Sequence, residues 1–145
     1  RFYNKDMKFE YFEHTADVMF KAYGKTLEKA FENSALATFH VMTDTEKVKA
    51  VLNKSISVKG HDLKALLYNF LEELLFLLDT EVFLLSKVKG LKIDKIGKEY
   101  VLSTLVSGDL AASYSTHGDV KAITYNEMEI KETTGGCTIQ VVLDI

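Results

Sequence analysis

The chain has 145 residues, with 18 Lys and Arg against 21 Asp and Glu, and a formal net charge of -3. This length suits one domain with a real core, and the 47% of hydrophobic residues argues against a disordered chain. Proteins that bind the phosphates of nucleic acids are usually strongly basic. Because this chain is slightly acidic, we expect no strong direct binding of nucleic acid. The chain contains no Pro, which excludes a Pro-rich linker or ligand motif.

The single cysteine, Cys137, cannot form an intrachain disulfide, and its apolar surroundings predict that it packs as a small buried side chain. We therefore expect a reducing compartment, the cytoplasm, or the nucleus in a eukaryote. No apolar stretch reaches the roughly 20 residues that a membrane span needs, so no membrane contact is expected. Residues 1–6 contain no signal peptide and are interpreted as a leader or a non-native extension before a single domain, residues 7–145.

The first half of the chain alternates predicted strands with predicted helices. Thr26 and Asp62 are suitable N-caps, because their side-chain oxygens can accept from free backbone N–H groups at a helix start. Apolar spacing of three and four residues follows each cap, and is strongest in the second helix. The predicted elements are strands at 9–12, 18–23 and 54–59, and helices at 26–42 and 62–78.

The second half of the chain is predicted to consist of strands, at 82–96, 99–107, 120–131 and 138–143. Gly97 marks a turn, Thr134-Gly135-Gly136 is typical of a hairpin, and 107–119 is predicted to be an exposed loop. The order of elements predicts an α+β fold. We expect a two-layer sandwich built from strand-helix-strand modules, with two helices packed on a mostly antiparallel or mixed sheet.

Several common chemistries have no support in the residues. There is no Gly-rich phosphate loop, so no ATP or dinucleotide site is indicated. Four scattered His residues and one Cys give no zinc spacing, and nothing near Cys137 indicates a Cys–His nucleophile pair. A metal-dependent hydrolase remains open as a class, although too few acid, base and nucleophile candidates converge to favour it.

The polar stretch Glu13-His14-Thr15-Ala16-Asp17 separates the first two predicted strands. At the other end of the chain, Asp144 follows an apolar run, and Ile145 supplies a terminal carboxylate if the chain ends there. Carboxylates and backbone carbonyls are the oxygen ligands that Ca²⁺ and Mg²⁺ take. The alternative is that Asp17 caps a turn and Asp144 is solvated, since no local signal shows that the two ends meet.

Lysines supply two further candidate features. Lys121 enters an apolar run, where a single lysine often protects an edge strand from pairing. The lysines of Ser86–Lys98 form a basic patch that could touch RNA. Asp94 interrupts this patch and no aromatic residue interleaves it for base stacking, which favours a solvated sheet face.

The motifs together resemble the archease family. The resemblance rests on Glu13–Asp17, on Leu27–Asn33 and Leu66–Leu74 in the predicted helices, on Val120–Tyr125, and on the final Asp144-Ile145. It spans the chain from Met7 onward. The resemblance implies a non-catalytic protein cofactor of the RtcB-type tRNA-splicing ligase, which promotes the ligase's guanylylation and lets it turn over repeatedly.

The resemblance also implies site residues. In this family a divalent cation, usually Ca²⁺, with Mg²⁺ or Mn²⁺ as alternatives, is held by residues that correspond to Asp17, Asp144 and Ile145. Lys121 and His14 are candidate contacts to the partner or to a nucleotide. Many family members carry His where this chain has Asn126, which cannot titrate near neutral pH.

A different class of function stays open beside the ligase cofactor. A small chaperone or adaptor of RNA- or DNA-processing proteins would use an exposed apolar groove rather than an acidic tip. Such a protein would keep working when Asp17 is replaced by Ala.

Overall fold

The computed structural model describes residues 7–14 and 17–145, with only the backbone of His14. The predictions for residues 1–6, Thr15 and Ala16 therefore lie outside the described residues. The strands are β1 Phe9–His14, β2 Asp17–Gly24, β3 Leu52–Gly60, β4 Phe83–Ile96, β5 Glu99–Leu110, β6 Ala122–Ile123, β7 Glu129–Thr133 and β8 Gly136–Asp144. The helices are α1 Leu27–His40 and α2 Leu63–Glu81, with short 3-10 turns at Thr45–Lys47 and Ala111–Ser113.

The strands form two sheets in which every recorded pair is antiparallel. The five-stranded sheet has the order β1-β2-β8-β6. The fifth strand, β7, pairs with the same edge of β8 as β6 does, but along residues 136–140. The three-stranded sheet has the order β3-β5-β4. The predicted α+β class, with two helices packed on antiparallel sheet, is confirmed, while the strands divide between two sheets instead of joining one.

The helices begin where their capping residues predict. The Thr26 side chain accepts from the backbone N–H of Lys29 at 3.1 Å, and the Asp62 side chain accepts from Ala65 at 2.7 Å. Helix α2 ends at Val82, whose left-handed backbone (φ 49°) stops the helix before β4. Val82 therefore caps a helix instead of opening the predicted strand.

Glycines allow each helix to pack closely on the strand that precedes it. A Cβ on Gly24 would lie 2.4 Å from the backbone N of Ala30, and one on Gly60 would lie 2.4 Å from the backbone N of Leu66. The core fills the space between the helices and both sheets. Its largest fully buried side chains are Phe20, Phe31, Phe39, Phe70, Phe83, Leu66, Leu67, Leu71, Leu74, Leu84, Leu85 and Leu102.

Two predictions from the second half of the chain were wrong. The segment 120–131 is not one strand: β6 and β7 are separated by a turn in which Glu127 has a φ of 53° and Met128 N–H donates to the Tyr125 carbonyl. Residues 107–110 are not loop but the end of β5, where Ser107 and Gly108 are buried between β3 and β4. The predicted hairpin is confirmed, since Thr133 pairs with Gly136.

The buried cysteine behaves as its apolar surroundings predict. Cys137 lies in β8 and is 4% exposed, and its burial raises the pKa of the thiol to about 11. The thiol is therefore protonated and unreactive at neutral pH. None of the helices in the described part of the chain is both long enough and apolar enough to cross a bilayer.

Candidate functional site

Two distant aspartates meet at one end of the five-stranded sheet. In the antiparallel pairing of β2 with β8, Asp17 lies directly opposite Asp144. Directly opposed residues project from the same face of a sheet, with their Cα atoms about 4.5 to 5.5 Å apart. The β2–β8 register therefore brings together the two carboxylates that the sequence places near opposite ends of the chain.

Strand β6 adds the Lys121 segment to the same end of the sheet. The Lys121 N–H donates to the Asp144 carbonyl at 2.7 Å, and Ala122 pairs with Asp144. The Thr124 hydroxyl donates to the Val142 carbonyl at 2.8 Å, which holds the next turn against β8. Asp144 thus lies between Asp17 on one side and the Lys121 segment on the other.

The two aspartates lie on the face of the sheet that is turned away from the helices. Side chains alternate along β8, so buried Val141 and Leu143 point into the core while Asp144 points outward. Asp144 is exposed and Asp17 is partly buried. We call Asp17, Asp144, Ile145 and Lys121 the acidic tip.

The other predicted residues of the site lie around this pair. Ile145 follows Asp144 and its side chain is 41% exposed. The backbone of His14 pairs with Asp17 across the β1–β2 hairpin, while its side chain lies outside the described part of the chain. Lys121 and Asn126 are both exposed to solvent. The pairing thus gathers Asp17, Asp144, Lys121 and the backbone of His14 at one end of the sheet, whereas Asn126 lies in the turn after β6. Their ligands remain a prediction.

The donor chemistry of the tip fits a hard cation. Two carboxylates directly opposite each other on a sheet repel, and a divalent cation between them would relieve that repulsion. In the described part of the chain no three His, Cys, Asp or Glu side chains are grouped closely enough to hold a metal ion. The tip therefore offers two carboxylates and main-chain oxygens, and a bound ion would need further ligands from water or a partner.

A cleft of about 960 Å³ opens beside the tip. The C-terminal end of α1 forms one wall, and the segment around His117 is tied to it because the His117 N–H donates to the Met42 carbonyl at 2.7 Å. Asp17, the first residue of β2, also lines the cleft. The remaining lining residues are Tyr11, Phe12, Glu13, Val18, His40, Val41 and His117.

Sequence reasoning did not find this cleft. Tyr11, His40 and His117 carry no shared motif, and only the packing of α1 against β1 and the later loop brings them near Asp17. The Tyr11 hydroxyl donates to the Ala37 carbonyl at 2.6 Å, and burial raises the pKa of the phenol. Tyr11 is thus a neutral hydrogen-bond donor that fixes β1 on α1.

A stacked aromatic pair anchors the turn that follows β6. The rings of Tyr68, on α2, and Tyr125 lie parallel, with 4.5 Å between their centroids and 6° between their planes. A hydrogen bond to Glu72, then burial, raises the pKa of Tyr68, so its phenol stays protonated. Because Tyr125 closely follows Lys121 in the chain, the stack helps to position the tip relative to α2.

Comparisons with known proteins agree on one family. The model of the Archease protein family matches residues 9–145. A protein archease of Methanosarcina mazei is 41% identical over 140 residues, which cover 95% of this chain and 96% of the relative. One from Methanothermobacter thermautotrophicus is 42% identical over 138 residues, covering 94% and 98%.

A solved structure agrees with the fold. The solution structure of protein 1598 of Methanobacterium thermoautotrophicum superimposes with a TM-score of 0.81 at 38% identity, covering 95% of this chain and 99% of that one. The match to the family model, residues 9–145, includes both Asp17 and Asp144. The chain belongs to the archease family.

Proposed function

We propose that this protein is a non-catalytic cofactor of an RtcB-type RNA ligase in the cytoplasm. In this role it promotes guanylylation of the ligase and its multiple turnover in tRNA splicing. Membership of the archease family, together with the resemblance of the motifs around Asp17, Lys121 and Asp144, supports the proposal. The observation that carries it is the direct pairing of Asp17 with Asp144.

The acidic tip is suited to reach into a partner. It lies where β2 begins and β8 ends, and Asp144 and Lys121 are exposed. The hydrogen bond from Lys121 N–H to the Asp144 carbonyl fixes the backbone at this point. Exposed charges on an ordered backbone can enter a cleft of a partner without the loss of conformational entropy that ordering a loop would require.

We infer that Asp17, Asp144 and main-chain oxygens near Ile145 hold a divalent cation, most favourably Ca²⁺, with Mg²⁺ or Mn²⁺ as alternatives. When bound, such an ion neutralises triphosphate charge at the site of nucleotidyl transfer. The two carboxylates would orient the ion at the tip, and the short ligand set would leave positions for groups of the partner. The exposed ammonium of Lys121 is placed to contact a phosphate or a carboxylate there.

Multiple-turnover RNA ligation tests this function. The ligase alone is compared with the ligase plus wild type, Asp17→Ala, Asp144→Ala or Lys121→Ala. We expect wild type to raise the number of turnovers and each variant to lose most of that effect. Full stimulation by all three variants would contradict the acidic tip and favour an adaptor that works through an apolar surface.

A matched control separates loss of charge from loss of fold. Glu129 is an exposed carboxylate on β7, opposite Gln140 in the middle of β8 and outside the acidic tip. The variant Glu129→Ala removes the same chemical group outside the tip, so it is expected to stimulate the ligase like wild type. The isolated protein is also assayed against nucleotides and phosphoesters, where turnover without the ligase would indicate a hydrolase.

A further inference from the structure

Two bulges in the edge strand β4 turn three lysines to accessible positions. The register of β4 against β5 shifts between Leu85 and Lys87, and again between Lys89 and Lys92. Across the second bulge, Lys89 pairs with Leu105 and Lys92 with Ser103, which are two residues apart in β5. Lys89 and Lys92 therefore share a face, although an odd separation would place them on opposite faces of a regular strand.

The face that receives these lysines is open and mixes hydroxyls with apolar side chains such as the exposed Leu105. Lys89 and Lys92 line a shallow depression of about 610 Å³ together with Ser55, Ser57 and Ser103. Gly90, in the second bulge, has a φ of 59°, and a Cβ built on it would meet no atom within 4 Å. The bulge therefore does not obstruct the depression. The depression thus combines ammonium groups with hydroxyls that can donate hydrogen bonds.

The same edge strand borders a second concavity that is also basic. Lys87 and Lys89 line a groove of about 640 Å³ between β4, α1 and the segment that precedes β3. The groove also receives Lys8, Lys29 and Lys49. The described carboxylates that line it are Glu46 and Glu32, and Glu32 is paired with Lys29 at 3.0 Å.

Lys89 lines both concavities, so they form one continuous surface. We call it the lysine surface, defined by Lys8, Lys29, Lys49, Lys87, Lys89 and Lys92. Among the described residues, six lysines and two glutamates line this surface, while the chain as a whole carries a net charge of -3. The fold therefore separates charge, and the total charge understates how basic this surface is.

We propose that the lysine surface binds the phosphodiester backbone of single-stranded RNA, weakly and without sequence preference. Lysines and serine hydroxyls are common contacts to phosphate oxygens. Among the described residues no Phe, Tyr or Trp lines either concavity, so these residues offer no platform on which bases could stack. Binding through phosphates alone is weak at physiological salt, which is compatible with the expectation of no strong nucleic-acid binding.

The composition of the surface favours RNA over an acidic protein as the occupant. Protein interfaces rely on buried Trp, Tyr and Arg anchors, and none of the described residues that line the lysine surface is of these types. Planar carboxylates are best matched by the Arg fork, whereas the cations that the structure describes on this surface are all lysines, whose compact charge suits phosphate. Lysines on an edge strand can also prevent pairing with another strand. That role explains the lysines of β4, but it does not explain why Lys8, Lys29 and Lys49 line the same groove.

Fluorescence anisotropy with a labelled single-stranded RNA of about 20 nucleotides tests the proposal. The three β4 lysines are removed together in Lys87→Gln/Lys89→Gln/Lys92→Gln. A control variant, Lys25→Gln/Lys64→Gln/Lys131→Gln, removes the same charge from exposed lysines outside the surface. Titrations at several salt concentrations give both the affinity and its salt dependence, and circular dichroism checks the fold of each variant.

We expect wild type and the control to bind with dissociation constants of about 10⁻⁵ M at physiological salt, and more tightly at low salt. The β4 variant should bind at least tenfold more weakly, with a salt slope smaller by about 2, since each phosphate contact contributes about 0.7. Equal binding by the β4 variant and wild type, or an equal loss in the control, would overturn the proposal. So would wild-type binding to polyglutamate with no binding to RNA.

This proposal can fail without the proposed function failing. The β4 variant keeps the acidic tip intact, so its stimulation of ligase guanylylation, a step measured without RNA, should equal that of wild type. Loss of that stimulation would place the lysines on the ligase interface and contradict an RNA site.

Discussion

Asp17 and Asp144 face each other across β2 and β8, although nearly the whole chain separates them in sequence. Each aspartate occupies the last position of the β2–β8 pairing. Like charges directly opposite on a sheet are destabilising, and a cation bound between the two carboxylates would offset that cost. This relationship links the stability of the protein to its proposed metal ion.

Calcium is expected to stabilise the protein through the acidic tip. At a concentration about 100 times its dissociation constant, Ca²⁺ would raise the free energy of unfolding by about 2.7 kcal/mol. Asp144→Asn removes one ligand, and about tenfold weaker binding would reduce this gain to about 1.4 kcal/mol. Thermal unfolding with and without Ca²⁺ measures both values.

The same experiment has a second readout without the ion. In a chelator, Asp144→Asn should be about 0.5 kcal/mol more stable than wild type, because it removes one of two opposed charges. Glu129→Gln, the matched carboxylate on β7, should respond to Ca²⁺ like wild type. An equal Ca²⁺ response in the Asp144 variant would show that the ion binds elsewhere.

The stack of Tyr125 on Tyr68 is expected to contribute to stability as a pair. Stacked aromatic pairs contribute about 0.5 to 1.5 kcal/mol beyond the area that they bury. A double-mutant cycle of Tyr125→Ala and Tyr68→Ala, measured by urea unfolding, should therefore give a coupling energy of about 1 kcal/mol. Additive effects of the two substitutions would mean that the stack does not hold the turn against α2.

Gly108 is expected to tolerate no side chain. A Cβ at this position would lie 1.8 Å from the carbonyl oxygen of Leu84, which is rigid backbone in the neighbouring strand. Gly108→Ala should reduce the free energy of unfolding by about 3 kcal/mol, since overpacking forces the strands apart. Gly135→Ala is the control, because its nearest neighbour is 3.8 Å away at the hairpin, and it should have little effect in the same urea titration.

Cys137 is expected to resist thiol reagents until the protein unfolds. Its pKa is raised by burial from 9.0 to about 11, so at pH 8 only a very small fraction is thiolate. A group with a raised folded pKa stabilises the protein fully below the unfolded pKa and loses that contribution as pH rises. Stability should thus fall between pH 9 and 11, and fall less in Cys137→Ala, whereas rapid labelling of the folded protein would contradict the burial.

The sequence predicted correctly the elements that depend on residues close together in the chain, such as helix caps and apolar stripes. Thr26 and Asp62 begin their helices because a capping oxygen acts within three residues, and the leucine stripe of α2 faces the core as its spacing predicts. The bulges of β4 and the turn at Glu127 were missed. Both depend on the register of a partner strand, which leaves no periodic signal in the strand itself.

In the candidate site too, the residue types could be predicted from the sequence, whereas contacts between distant segments could not. Residue types alone identified Asp17 and Asp144 as oxygen donors, but the pairing of β2 with β8 is a contact between distant segments. Only the resemblance to a family indicated that the two ends meet. The cleft lined by His40 and His117 was missed because its residues come from unrelated segments, and the lysine surface was underestimated because its lysines belong to several elements.

The most direct test measures covalent guanylylation of the ligase by labelled GTP in a single turnover. Wild type should accelerate the labelling of the ligase, and Glu129→Gln should accelerate it equally. Asp17→Asn and Asp144→Asn, which keep the shape of the side chain and remove its charge, should each lose most of that acceleration. Undiminished acceleration by both Asn variants would contradict the role of the acidic tip.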